Sequence, residues 1–425
     1  MLRKHLHFDG LAKPAFMMFA ATMIGGACNF LYQSWMGKSL NPADYSELIS
    51  LLSLFYILAV PSNLVGTTVL RYVSIFNADK REGDIAWLLR RSFIISMIIG
   101  AVLMVVVLIL SPWMVDSLKL PEESILIILA LGGLLLMLGP TAVGGTQALQ
   151  RFYCLGVYNL ATPIAKLLLG VLLVTAGLGV GGAFGGAVVG STLAFGVVYW
   201  GIKDYWGKDR TKPDTHGMAL YAIPVAIATI SFMLITNIDA VLARALMTEY
   251  DAGIYASAST LGKVVLWIPV GITSVTFPRF SEADAKGDES EMLMRKSLLI
   301  VFLVLVTIWI GCTLFPNDIM NIVYTYHYAE AAICLPVVIA AFSLFGLASI
   351  FMNYGLARSD NAFIAILAIF SGLGVIAILL NHQTPIDIGY DMLIAGAGIC
   401  ISSLLYMELR WWNNRRKRAK ANGTR

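Results

Sequence analysis

The chain has 425 residues, of which 58% are hydrophobic and 13% charged, and its formal net charge is +4 at pH 7. Soluble globular domains carry about 25% charged residues, so this composition excludes that class and marks an integral membrane protein. The small positive balance follows from where the basic residues sit, and nucleic-acid binding is excluded as its reason.

Apolar runs long enough to cross roughly 30 Å of hydrocarbon recur along the whole chain. They lie near 14–36, 44–70, 92–115, 124–147, 157–177 and 180–202, then 218–246, 252–277, 297–315, 331–356, 361–381 and 391–412. The pattern predicts an all-α polytopic membrane protein of about twelve transmembrane helices. Residues 1–202 form an N-terminal six-helix bundle, 203–217 a cytoplasmic linker, 218–412 a C-terminal six-helix bundle and 413–425 a basic cytoplasmic tail. With the N-terminus cytoplasmic, the inner loops hold 25 of the 30 basic residues, whereas the outer loops keep only Lys38 and Lys119. The positive-inside rule therefore predicts a multi-pass protein of the cell inner (plasma) membrane with both termini cytoplasmic.

The halves echo each other. Asn29, Pro61, Thr68 and Arg71 match Asn237, Pro269, Thr276 and Arg279 at one offset of 208 residues, and Tyr45 matches Tyr255 at 210. Each match falls at the same place in the pattern of apolar segments and polar loops. Such self-similarity marks a carrier built from two related halves. Because both copies run from the outer face to a basic inner loop, the repeat is parallel.

Between the fifth and sixth runs, Gly182, Gly186 and Gly190 recur every four residues, as do Gly177, Gly181 and Gly185. Each set lines one helix face and lets a second helix approach closely. Prolines inside the runs, notably Pro61, Pro140, Pro163, Pro224, Pro269 and Pro336, permit the bends that a central cavity needs.

Three ionisable residues lie well inside the runs: Lys166 in the fifth, Asp239 in the seventh and Lys263 in the eighth. A charge at mid-membrane is costly and marks a partner or a wet cavity. Asp239 has two candidate partners, Lys263 across antiparallel helices and Arg244 one turn further along its own. Lys166 has no acidic residue in its own run, which suits a cavity cation that meets an anionic substrate.

No loop is long enough to fold as a catalytic domain, and Gly37-Lys38-Ser39 lacks the first glycine of a phosphate-binding loop, with Tyr32 in its place. The five cysteines are scattered without disulfide or metal spacing. A transporter is expected, with no catalytic residue, metal or bound cofactor. In the longest outer loop, about Pro316 to Glu330, Tyr324, Tyr326, His327 and Tyr328 suit either stacking on sugars or an interfacial aromatic belt.

The runs Asn29 to Tyr45, Asn237-Ile-Asp-Ala-Val-Leu-Ala-Arg244 leading to Ala252-Gly-Ile-Tyr255, Ile268 to Arg279, and Gly177 to Ala183 together resemble the polysaccharide transporter family. These are the oligosaccharide-lipid flippases of the multidrug/oligosaccharidyl-lipid/polysaccharide exporter superfamily. The resemblance implies two six-helix bundles and alternating access. It also implies export of a polyprenyl-diphosphate-linked oligosaccharide to the outer leaflet for surface polysaccharide biosynthesis, alongside membrane lipids and glycan polymerase or assembly machinery as partners. Related members couple transport to Na⁺ or H⁺. Carried onto this sequence, the substrate-binding set is Lys166, Lys263, Arg244, Asn29 and Asn237, with Asp239 as coupling or structural charge partner. The alternative on the same scaffold is a cation-coupled multidrug antiporter, which would want cavity carboxylates.

Overall fold

The computed structural model describes residues 8–209, 211–213, 216–269, 289–357 and 360–422. They fold into helices, and no strand occurs among them. The first bundle runs α1 (Phe8–Ser39), α2 (Pro42–Leu58), α3 (Val60–Ala78), α4 (Glu82–Leu118), α5 (Ser124–Leu136), α6 (Gly139–Ala148), α7 (Phe152–Leu173) and α8 (Gly179–Trp200). The second runs α9 (His216–Leu246), α10 (Glu249–Val265), α11 (Glu289–Leu314), the short α12 (Pro316–Val323), α13 (Ala331–Ala357), α14 (Asn361–Leu380) and α15 (Pro385–Asn422). Eight of the described helices are long and apolar enough to cross a membrane, nine with one bent pair counted as a span. The eight include the continuous stretch Phe152–Trp200, which holds the antiparallel α7 and α8.

Two apolar runs are each two helices. The run near 44–70 breaks at Ala59 with a bend of 42° between α2 and α3, and the run near 124–147 breaks between α5 and α6. Both breaks precede a proline, Pro61 and Pro140, at the second position of the new helix. Proline lacks the donor that would have continued the preceding helix and crowds its last carbonyls. Pro163, Pro224 and Pro336 remain inside helices. The partner of Pro61 in the repeat behaves alike: α10 ends at Val265, with Leu266 as its cap, three residues before Pro269. Thr276 and Arg279 lie outside the described residues.

Only one glycine stripe packs. A Cβ on Gly186 would stand 2.6 Å from the backbone nitrogen of Gly170, and one on Gly190 2.6 Å from that of Lys166, so α8 lies directly on α7. Gly177, Gly181 and Gly185 have nothing within 4 Å. Gly177, at φ +89°, instead supplies the left-handed backbone of the α7–α8 turn.

In the first bundle α7 packs on both α1 and α8, and α3 on α4 and α6; in the second, α13 is the hub that gathers α10, α11 and α15. Helix α2 belongs to the first bundle by sequence yet packs against both α9 and α10 of the second. Lipid-facing surface is plain on α4, where Ile98, Val102, Val105 and Ile109 are exposed.

Candidate functional site

At the end of the molecule where α1 turns into α2, the bundles are clasped together. Arg244, near the end of α9, is 1% exposed. Its Nε donates to the Leu118 carbonyl at 2.8 Å, its Nη2 to Lys119 O at 2.9 Å, and its Nη1 to Ala43 O at 3.1 Å and Ser46 Oγ at 2.8 Å. All four acceptors belong to the first bundle. Glu249 of the second bundle approaches the guanidinium to 3.6 Å, and Glu47 and Asp44 add to the negative field around it. Lys119 returns the gesture by donating to the Met247 carbonyl. The local sequence builds this end: Asn41 and Thr248 cap α2 and α10, each accepting from the amide three residues on. A planar five-donor fork suits several convergent carbonyls, whereas an ammonium does not.

Beside the clasp a tyrosine seam closes the gap. Tyr45 O–H reaches Thr260 Oγ1 and Tyr324 O–H, both at 3.2 Å, while Tyr324 donates to Ser257 O at 3.1 Å and Tyr328 to Leu40 O at 3.0 Å. The Tyr45 ring meets those of Tyr324 and Tyr328 edge-on at 5.7 and 5.8 Å. A Cβ on Gly37 would collide with the Tyr324 ring at 2.3 Å, and one on Gly253 with the Pro42 carbonyl at 2.1 Å. Tyr324 and Tyr328 are thus buried between the bundles, and neither stacks on sugar nor lies in an interfacial belt in this conformation. Burial also pushes the Tyr328 hydroxyl well above its ordinary pKa. From that cluster Tyr326, 77% exposed, and the exposed His327 stand out at the surface, the tyrosine as an anchor would.

Deeper in, five residues along α9 from Arg244, Asp239 is fully buried. It pairs with Lys263 of α10, Nζ to Oδ1 at 3.1 Å, and its other oxygen accepts from Tyr255 O–H at 3.1 Å and Ser259 Oγ at 2.5 Å. Arg244 takes no part in this pair. The Lys263 side chain remains 22% exposed, so the carboxylate is sealed while its partner's side chain keeps an open flank. Leu261 and Val264, which flank Lys263, join Met23 of α1, Ile308 of α11 and Ile339 of α13 around an apolar cavity of about 300 Å³ at the seam between bundles.

Lys166 stands alone in the first bundle. Its Nζ lies 4.4 Å from the Tyr32 ring centroid and 3.4 Å from Tyr56 O–H, with no carboxylate in ion-pair range among the described residues. Cation–π contact and one hydroxyl shelter the charge without neutralising it. Asn29 is half-buried on α1; Asn237 is buried and turns its amide back onto its own helix, to Met233 O at 2.9 Å. The candidate residues therefore occupy separate stations: Arg244 at the clasped end, Asp239 with Lys263 deeper, and Lys166 across in the other bundle.

A family model described as "Polysaccharide biosynthesis protein" matches residues 79–333, more than half of the chain. The chain belongs to this polysaccharide biosynthesis protein family. Solved structures with its fold include an inward-facing multidrug resistance MATE family transporter of the MOP superfamily, with TM-score 0.75 and 12% identity over 95% of this chain and 99% of that one. An outward-facing MATE family transporter of the same superfamily gives 0.63 and 15% over 95% and 96%. A Pyrococcus furiosus MOP superfamily transporter, described by a binding pocket of reverse polarity that suggests a different function, shares 15% identity and covers 94% of this chain and 95% of its own. No match is found among the curated proteins. The fold is that of these MOP superfamily transporters.

In this family member, sequence reasoning reached the membrane charges but not the clasp. Lys119 was visible as one of two basic residues on the outer side, against the positive-inside trend. Tyr45 was visible in the repeat, but its hydroxyl partners on α10 and beyond α12 come together only in three dimensions. Asp391, buried near the start of α15, was also passed over; its Oδ2 has no hydrogen-bond partner in the structure.

Proposed function

We propose that the chain is a flippase that moves a polyprenyl-diphosphate-linked oligosaccharide from the cytoplasmic to the outer leaflet by alternating access, in surface polysaccharide biosynthesis. The observation that carries this reading is a lysine within an apolar run of each half, Lys166 without a counter-charge and Lys263 partly exposed on the helix whose Leu261 and Val264 line an apolar cavity. A cation next to a greasy recess suits a ligand that joins an anionic head to a hydrocarbon chain. An exporter of organic cations needs an available carboxylate, and Asp239 is already taken by Lys263. The reverse-polarity pocket attributed to one structural relative supports pocket charge as a variable on this fold.

With both termini cytoplasmic, the clasped end faces outward and this conformation opens to the cytoplasm, where the cargo loads. The higher similarity to an inward-facing relative supports that assignment. An inside-negative potential favours outward movement of a diphosphate by roughly 2.3 kcal/mol per charge per 100 mV, less whatever charge moves with it. The test is the double substitution Lys166→Gln and Lys263→Gln in cells that assemble a surface glycan. Export is expected to stop while the protein stays inserted in the membrane; normal glycan assembly would defeat the reading.

A further inference from the structure

The Asp239–Lys263 pair is built asymmetrically. Lys263 has an exposed flank and the Phe342 ring 5.8 Å from its Nζ, so it has somewhere to turn, whereas Asp239 is enclosed and held in place by Tyr255 and Ser259. A ligand anion that recruits the Lys263 ammonium leaves that carboxylate buried without a counter-ion. An unpaired buried carboxylate is stable only once neutralised. We propose that anion binding at Lys263 is coupled to uptake of one proton at Asp239, which makes the pair an exchange site for headgroup and proton. This rests on the reading of Lys263 as a headgroup ligand given above.

The step balances. The Lys263 N–H···Oδ1 contact breaks, an N–H···O bond to a phosphoryl oxygen forms, and one proton from solvent joins Oδ1 while Tyr255 and Ser259 go on donating to Oδ2. The wall of the site passes from neutral, carboxylate with ammonium, to singly positive, carboxylic acid with ammonium. The other titratable groups on the elements around the pair include Asp44, Tyr45 and Glu47 on α2, Arg244 on α9, Glu249 and Tyr255 on α10, Cys334 on α13, His327 and Tyr328 after α12, and Asp387 and Asp391 on α15. Tyr45 and Tyr328 are engaged in the seam and Arg244 in the clasp. Asp391, with its unpartnered oxygen, and Glu47, buried on α2, are the rival proton acceptors.

The experiment is titration of the full chain in lipid nanodiscs with farnesyl diphosphate, by calorimetry in two buffers of unlike ionisation heat at one pH. Wild type is expected to take up close to one proton more per ligand than Asp239→Asn, in which the ligand's own protons still count and cancel in the difference. Asp239→Asn is also expected to bind more tightly, because its lysine no longer leaves a carboxylate behind. Infrared difference spectra of the wild type alone should gain a protonated-carboxyl band on ligand addition, so the idea does not hang on a variant that folds. Equal proton counts in wild type and Asp239→Asn, or no new carboxyl band, overturn the proposal. A count lost in Asp391→Asn or in Glu47→Gln and kept in Asp239→Asn overturns it too and moves the proton to that carboxylate. Failure of the wild type to bind the diphosphate at all overturns the headgroup reading beneath it.

Discussion

Replacing Arg244 with alanine should unlatch the outer end. The guanidinium makes four hydrogen bonds to the first bundle, to Ala43, Ser46, Leu118 and Lys119. In the open state these groups meet water, so each bond contributes only its net value, about 0.5–1.5 kcal/mol. The sum is roughly 2–6 kcal/mol in favour of the closed end, and at 1.4 kcal/mol per factor of ten the lower figure is already about 30-fold. An outward-open population of 1% would rise to about a quarter. Loss of the cation also leaves Asp44, Glu47 and Glu249 facing one another, which pushes the same way. Pulsed electron resonance between spin labels at Glu122 and Glu330, both exposed near this end on different bundles, reads the opening directly. Arg244→Ala should add a longer distance, and Arg244→Lys should fall between, since an ammonium cannot reach every acceptor. Identical distance distributions in wild type and Arg244→Ala would refute the clasp.

Lys263→Gln strands Asp239 without its partner and should lower stability by about 3–5 kcal/mol, which restoring neutrality with Asp239→Asn recovers; thermal unfolding in detergent compares the single and double variants. Lys166→Gln, which leaves no buried counter-charge behind, should weaken diphosphate binding with little loss of unfolding temperature. Gly190→Ala places a methyl against the Lys166 backbone and should cost about 1–3 kcal/mol, whereas Gly185→Ala, with open space around it, should be neutral in the same unfolding measurement. Tyr45→Phe removes one hydroxyl from the seam and should widen the spin-label distance far less than Arg244→Ala, by a net effect of about 1 kcal/mol.

The all-helical, many-spanning class was legible because hydropathy is a local property and each run carries its own signal. Asn29 and Asn237 do sit at matching depths, about ten residues before the ends of α1 and α9. The breaks at Ala59 and between α5 and α6 were half legible: proline marks that a helix can stop, but whether it bends or continues depends on its neighbours, as Pro163, Pro224 and Pro336 show by staying within helices. The Asp239 partner was open between Lys263 and Arg244, since both lie within a few turns. Packing decides it, because Arg244 is drawn to carbonyls of the other bundle that no spacing rule could foresee. The aromatic cluster after α12 misled for a similar reason: tyrosines look alike in sequence whether they face solvent, lipid or a seam.

The bend at Ala59 also has a mechanical meaning. On one side of it, α2 is docked on α9 and α10; on the other, α3 is rooted chiefly against α6 and α4 and also touches α9. One continuous stretch of backbone thus joins the two bundles that the proposed alternating-access cycle moves apart. Any force that parts them at the outer face is delivered as torque to the few residues around Ala59, where Pro61 has already removed a helical hydrogen bond. In the proposed cycle this joint sets how far the bodies swing and returns them, like a flexure in a precision instrument, which deforms at one thinned point so that the arms on either side can stay stiff.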